Sequence, residues 1–288
     1  MKILVTGAKG MLGTDLMAAL RVRHEAIGVD IAEFDILDEQ DARGYIKDTA
    51  PDWVIHGAAF TNVDGCEAEP DKAYKVNGEG PKNIALGCRD AGANMLYIST
   101  DYVYDGKKDG PYKESDPVGP LNVYGLSKLK GEENTLSVLP GALVVRTSWL
   151  YGLNGPNFVK AILGQVGKKD ELGVVNDQFG SPTYTPDLAD ALVRLIEADA
   201  KGIVHVSNEG SCSWMEYAVK ILELSHVDGI RVKPMTTAEL GRPALRPANS
   251  VLSKEKYYGI TGQRLRNWQD ALSEYILLSI TSSGGFLR

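Results

Sequence analysis

Tyr124 and Lys128 stand one helical turn apart in the run Asn122-Val-Tyr-Gly-Leu-Ser-Lys128. On a helix, side chains at that spacing project from the same face. An ammonium held beside a phenol favours the phenolate and lowers a tyrosine pKa from its usual value of about 10. A tyrosine tuned in this way exchanges a proton with a carbonyl oxygen near neutral pH. Two common residues at one spacing also meet by chance, so the pair takes its meaning from what surrounds it.

Three further constellations accompany it. Gly7-Ala-Lys-Gly10-Met-Leu-Gly13 follows the apolar run Ile3-Leu4-Val5 and precedes apolar residues at helical spacing (Leu12, Leu16, Met17, Leu20). In a strand–turn–helix setting Gly7 permits the tight turn, Gly10 lets a pyrophosphate approach the backbone, and Gly13 lets the helix pack on the strand. The helix N-terminus then offers free N–H groups to phosphates. Asp30 ends the second apolar run, where a carboxylate accepts hydrogen bonds from an adenosine ribose and favours NAD over NADP. Arg21 and Arg23 have no evident route to a 2′-phosphate, and Asp35 is a second candidate for the adenosine end. Finally, Ser99-Thr100-Asp101 closes the apolar run 95–98, which sets the Thr100 hydroxyl at the carboxyl edge of a strand. There it hydrogen-bonds a substrate oxygen or its own backbone.

These groups need a scaffold, and the rest of the chain supplies one. Apolar runs at 3–5, 26–30, 53–57, 95–99 and 143–146 alternate with helical patterns at 38–48, 67–91 and 123–137. That alternation predicts an α/β fold of the Rossmann type, a doubly wound parallel sheet with helices on both faces. Residues 1–150 form the expected dinucleotide-binding domain. Residues 151–288 are mainly a smaller, intertwined substrate lobe, with a segment near 187–206 returning to the first domain. In that half, loops at 152–156 and 180–186 lead to a helix over 188–199 capped by Asp187, a strand at 203–206 and a helix from Trp214 to Leu224. A Pro-rich extended stretch at 234–250 and a last helix over 267–279 follow.

Composition bounds the function. The 288 residues carry a net charge of −7 without basic runs, which argues against nucleic-acid and membrane-surface partners. An anionic ligand must then be held locally, by backbone N–H groups and a few placed cations. Cys66, Cys88 and Cys212 are widely spaced and read as reduced, part-buried thiols of a cytoplasmic protein. His24, His56, His205 and His226 show no zinc-ligand spacing, so no metal site is expected. No signal-peptide h-region and no membrane-length apolar stretch is present.

With these residues assembled, the chain resembles the extended short-chain dehydrogenase/reductases, whose pattern is the glycine turn, a strand-end Ser/Thr and Tyr-x-x-x-Lys. Within them it is similar to the branch that reduces 4-keto sugars carried on dTDP. The matching runs are Ala58-Ala-Phe-Thr-Asn-Val-Asp64, Ser99-Thr-Asp-Tyr-Val-Tyr-Asp-Gly106, Pro120-Leu-Asn-Val-Tyr-Gly125, Arg146-Thr-Ser-Trp-Leu-Tyr-Gly152 and Arg246-Pro-Ala-Asn-Ser-Val-Leu252. The resemblance implies hydride transfer from NADH or NADPH to the 4-keto group of dTDP-4-dehydro-L-rhamnose. It makes Tyr124 the proton donor, Lys128 the ribose holder and Thr100 the group that polarises the carbonyl. Gly10, Met11 and Leu12 then line the pyrophosphate, and Asp30, Asp35 and Ile36 lie near the adenosine. Ala58, Ala59 and Phe60 run beneath the cofactor, and Trp149 packs on the substrate or in the core. Asp101 orients a sugar hydroxyl or caps a turn. Arg242 and Arg246 bind the diphosphate or lie in solvent. Sugar-nucleotide dehydratases of the superfamily carry Thr-Asp-Glu at the strand end; Tyr102 replaces that glutamate here and cannot act as the carboxylate base. A non-catalytic, dinucleotide-binding subunit like that of methionine adenosyltransferase is the alternative, as is a reductase of another keto-sugar nucleotide. The oligomeric state, a homodimer included, stays open.

Overall fold

Short apolar runs bounded by turn residues suit strands covered on both faces, and six of them pair in one sheet. They are β1 (Lys2–Thr6), β2 (Glu25–Val29), β3 (Trp53–His56), β4 (Asn94–Thr100), β5 (Leu143–Thr147) and β6 (Gly202–His205). The computed structural model describes residues 1–282, so the last six residues of the expected substrate lobe lie outside it. The strands lie in the order β2-β1-β3-β4-β5-β6, every neighbouring pair parallel. Order reverses between β1 and β3, and open α/β sheets bind their ligands beyond the carboxyl ends of the strands at such a point.

Helices along the chain include α1 (Met11–Leu20), α2 (Glu39–Thr49), α3 (Val63–Ala68), α4 (Gly80–Ala91), α5 (Val123–Val138), α6 (Thr185–Glu197), α7 (Trp214–Leu224) and α8 (Trp268–Ser282). Leu16 and Leu20 of α1 and Leu188, Leu192 and Leu195 of α6 cover one face of the sheet. Ala42 and Ile46 of α2 and Ile84, Ala85 and Cys88 of α4 cover the other. A third apolar cluster, with Tyr151, Val159, Tyr217, Trp268 and Tyr275 at its centre, is built from residues 151–276. All three cysteines are buried and free. Among the described residues no helix is long and apolar enough to cross a membrane.

Three expectations need correction. The helix expected over 67–91 is broken: α3 ends at Ala68, a turn of helix starts at Pro70, Lys75–Glu79 is π-helical, and α4 begins at Gly80-Pro81. Pro70 has no N–H to extend the preceding helix, whereas Pro81 falls in a first turn where that N–H is not needed. Asp187 is not a cap, because α6 already starts at Thr185 and Asp187 accepts hydrogen bonds from Arg266 and Asn208 instead. The stretch at 234–250 is not extended throughout, since Thr237–Leu240 forms a short helix closed by a Thr236–Glu239 capping box.

Candidate active site

The glycine turn is built for close approach. Gly7 has φ +72°, and a Cβ there would lie 2.8 Å from the Ala58 nitrogen. Gly13 is tighter still: a Cβ there would run into the Gly7 oxygen. Gly10 caps α1 in an extended conformation without any side-chain hydrogen bond, which leaves first-turn N–H groups for a ligand. Asp30 follows β2 and accepts the Lys9 N–H at 2.8 Å, so its carboxylate is fixed against the turn. This cradle, closed to side chains and open to backbone hydrogen bonds, fits a dinucleotide pyrophosphate.

Gly7, Gly10, Met11, Leu12, Gly13, Ala59, Thr100, Asp101, Tyr124, Lys128 and Trp149 all line one cleft of about 470 Å³ above the switch in strand order. Asp30, Asp35, Ile36, Ala58, Phe60, Arg242 and Arg246 do not line it. Asp35 accepts the Leu37 N–H at 2.9 Å, a local turn of the kind aspartate favours. Ile36 lies where a Cβ on Gly80 would press, 2.8 Å away, and its carbonyl accepts from Asn83.

Tyr124 and Lys128 are placed by α5, whose N-cap Asn122 accepts the Gly125 N–H at 2.8 Å. Tyr124 stands edge-on to Tyr102, ring centroids 5.7 Å apart. Lys128 is 3% exposed; its Nζ donates to the Ile98 carbonyl at 2.6 Å and lies 4.1 Å above the Tyr97 ring. Burial pulls its pKa down to about 7, while Glu132 acts in the opposite direction. The expected lowering of the tyrosine does not hold in this site. Burial pushes the Tyr124 phenol above its usual range, and the nearby Thr100 hydroxyl only partly offsets it. Desolvation of a phenolate outweighs a lysine that faces the strand carbonyl instead.

Thr100 ends β4. Its hydroxyl accepts the Tyr102 N–H at 3.2 Å and donates to Asp101 at 3.0 Å, so both local bonding and contact with Tyr124 are present. Asp101 is buried beside the Thr100 and Ser250 hydroxyls, and burial raises its carboxyl to about 6.

Two residues that sequence reasoning missed belong to this site. Asn77, fully buried in the π-helical stretch, bonds both the N–H and the carbonyl of Phe60 (2.8 and 3.0 Å) and donates to Ser127 Oγ at 3.0 Å. Ser127 in turn donates to the Tyr124 carbonyl. One amide thus ties the loop after β3 to the helix that carries the Tyr–Lys pair. The signal was the Val76-Asn-Gly78 break in an otherwise helical pattern. Trp214, at the start of α7, lines the cleft and stacks on Trp149 at 3.5 Å and 8°. Trp149 itself has φ +47°, unusual for a bulky side chain. A Cβ on Gly180 would collide with its ring. Nothing in the spacing of Trp149 and Trp214 announces their stack.

Arg246 donates to Asp64 at 3.1 Å and Arg242 to the same carboxylate at 3.4 Å. Arg246 also lies beside Tyr102, a residue of the cleft wall.

A parallel sheet with a glycine cradle at its switch point, and a helix bringing tyrosine and lysine to the same edge, defines a nicotinamide-dependent oxidoreductase of the short-chain dehydrogenase/reductase kind. Comparison with known proteins gives the narrower placement. The chain belongs to the family described as RmlD substrate binding domain, which matches residues 1–279. It is 45% identical to the spore coat polysaccharide biosynthesis protein SpsK of Bacillus subtilis, covering 96% of each chain. It is 42% identical to a dTDP-4-dehydrorhamnose reductase of Streptomyces griseus, covering 94% of this chain and 91% of that one. The crystal structure of a dTDP-4-dehydrorhamnose reductase of Bacillus anthracis in complex with NADP superposes with a TM-score of 0.92 at 36% identity, covering 96% of this chain and all of that one.

Proposed function

We propose that this chain reduces the 4-keto group of dTDP-4-dehydro-L-rhamnose to give dTDP-L-rhamnose, a step in nucleotide-sugar and polysaccharide biosynthesis that suits a cytoplasmic enzyme. The observation that carries the reading is the convergence of Thr100, Tyr124 and Lys128 with the glycine cradle on one cleft. Bound there, NADH or NADPH supplies the hydride. Gly7, Gly10 and Gly13 admit its pyrophosphate, the first-turn N–H groups of α1 at Met11 and Leu12 bind it, and Asp30 takes the adenosine ribose. Ala59, between Ala58 and Phe60, lines the cleft beneath the dinucleotide, and Asn77 holds this segment through Phe60. Lys128 holds the nicotinamide ribose, Tyr124 gives its proton to the developing alkoxide, and Thr100 donates a hydrogen bond to the same oxygen.

Residues 151–282 contribute Trp214 to the cleft, and Trp149 stacked on it forms an apolar wall for the sugar nucleotide. Asp101, on the cleft wall, meets a sugar hydroxyl in this reading. Of the two arginines, Arg246 has the better claim on the diphosphate, because it reaches the cleft wall at Tyr102 while Arg242 is mostly exposed. The intact catalytic set speaks against a purely regulatory subunit.

The deciding assay is oxidation of NADH and NADPH by the purified chain with dTDP-4-dehydro-L-rhamnose. Turnover with this substrate is the expected result, and its absence with every keto-sugar nucleotide tried would overturn the reading. The ratio of kcat/KM for the two dinucleotides reports on Asp30, whose carboxylate disfavours a 2′-phosphate. Gly180→Ala tests the tryptophan wall. Displacing Trp149 raises KM for the sugar nucleotide on the order of ten- to a hundredfold, while the dinucleotide dissociation constant stays unchanged. Equal loss of both affinities would show that Trp149 does not act on the sugar side.

A further inference from the structure

Below Lys128 lies a buried polar chain that the reaction as described does not use. Glu132 is one turn further along α5 and 2% exposed. Its Oε1 accepts from Ser99 Oγ at 2.5 Å and from Arg146 Nε at 2.9 Å, and its Oε2 accepts from Arg146 Nη2 at 2.6 Å. Arg146, on β5 and equally buried, gives its remaining nitrogen to the Tyr104 hydroxyl at 2.7 Å. The carboxylate is therefore held by a guanidinium fork on one side and a strand-end hydroxyl on the other. Ser99 immediately precedes Thr100, so Glu132 touches the segment that sets the threonine as well as the helix that sets the lysine.

Among the described residues the surroundings of Lys128 supply no other anion. From β4 it meets the Ile98 carbonyl and the Tyr97 ring, and from α5 it has Tyr124 a turn earlier. From β3 it faces His56, which burial keeps neutral with a pKa of about 3. The positive charge of Arg146 on β5 is turned toward Glu132 and Tyr104. An ammonium in such a place loses its proton unless a negative charge stands near.

We infer that Glu132, clamped by Arg146 and Ser99, is the counter-charge that keeps Lys128 an ammonium inside the fold. Glu132 is thus a positioning residue, acting through Lys128 and never touching substrate or dinucleotide. The pair with Arg146 has a second consequence: together with the Ser99 hydroxyl it gives both carboxylate oxygens a partner and holds Glu132 in one orientation. The inference rests on the reading of Lys128 as the ribose holder only for its consequence in binding; the charge of Lys128 is measurable without it.

The experiment is a titration of Lys128 by NMR in protein carrying 13Cε-labelled lysine, its resonance assigned by loss in Lys128→Met. Glu132→Gln moves the Lys128 titration to lower pH by about one unit or more. Because that variant strands a buried guanidinium and can fail to fold, Glu132→Gln/Arg146→Met is titrated beside it; removal of both charges moves the lysine in the same direction. Dissociation constants for NADH, followed by protein fluorescence, give the second readout. In the folded variant the pH above which affinity falls moves down with the lysine, so that at about pH 8 binding weakens roughly tenfold, while near pH 5.5 it matches the parent. A folded double variant whose Lys128 titrates where the parent's does would overturn the inference and leave Glu132 a strut between α5 and β5. That result is independent of whether the chain reduces dTDP-4-dehydro-L-rhamnose, which the turnover assay reads separately.

Discussion

Replacing Tyr124 by Phe lowers turnover about 10²- to 10⁴-fold, the span a single proton-transfer group contributes, and leaves the dinucleotide dissociation constant within about threefold. Burial sets the state of the phenol. The phenol is pushed above its usual range, so the fold holds it protonated through neutral pH. That is the state a reductase needs, because the carbonyl oxygen becomes an alkoxide as hydride arrives and must take a proton from a group that still has one. Thr100 lies close enough to share the developing charge, and Lys128 is held one turn below, on the strand carbonyl. Phenylalanine keeps the edge-on packing against Tyr102 and the Asn122 cap, both of which depend on ring or backbone. The fold and the dinucleotide cradle therefore survive, and only the proton is lost. Steady-state turnover with dTDP-4-dehydro-L-rhamnose and a separate fluorescence titration with NADH or NADPH make the comparison. A Tyr124→Phe variant that keeps more than about a tenth of turnover would remove Tyr124 from the chemistry.

Much of this arrangement was legible beforehand, for a physical reason. Ile3-Leu4-Val5 or Leu143-Val144-Val145 has to be covered on both faces, and a glycine cluster between such a run and a helical pattern leaves few alternatives to a phosphate turn. Local signals also carried Tyr124, Lys128 and Thr100 to the right edge. What stayed hidden depends on contacts between distant segments. The Trp149–Trp214 stack joins two remote stretches of chain and rests on the missing side chain of Gly180. Asn77 matters because it reaches Phe60 and Ser127 at once, which no spacing within 70–91 shows. Asp187 looked like a cap because helices often start after such a residue, yet Arg266, far along the chain, claims its carboxylate. The tyrosine–lysine pair shows the same limit: spacing sets the face, but burial and the Ile98 carbonyl set where the ammonium points.

Replacing Lys128 by Met weakens dinucleotide binding by roughly ten- to a hundredfold, the loss of one or two hydrogen bonds from a charged donor, yet makes the ligand-free protein more stable below neutral pH. The lysine of the unfolded chain titrates near 10.5, that of the folded chain at about 7. Between those values the unfolded state holds the extra proton, so unfolding free energy rises with pH across the window. Below it, the full cost of keeping a cation among Tyr97, His56 and the Ile98 carbonyl falls on the native state, a penalty of about a few kcal/mol. Methionine fills a similar volume without the charge and leaves Glu132 its Arg146 partner. Urea midpoints at about pH 6 and about pH 9.5 therefore separate the two proteins: the variant leads at the lower pH, and the gap narrows at the higher one. A gap that widened with pH would mean that Lys128 stabilises the ligand-free fold and is no functional burden. The opposite trend places the lysine among groups whose strain is kept for binding, released when the ribose hydroxyls arrive to share its charge.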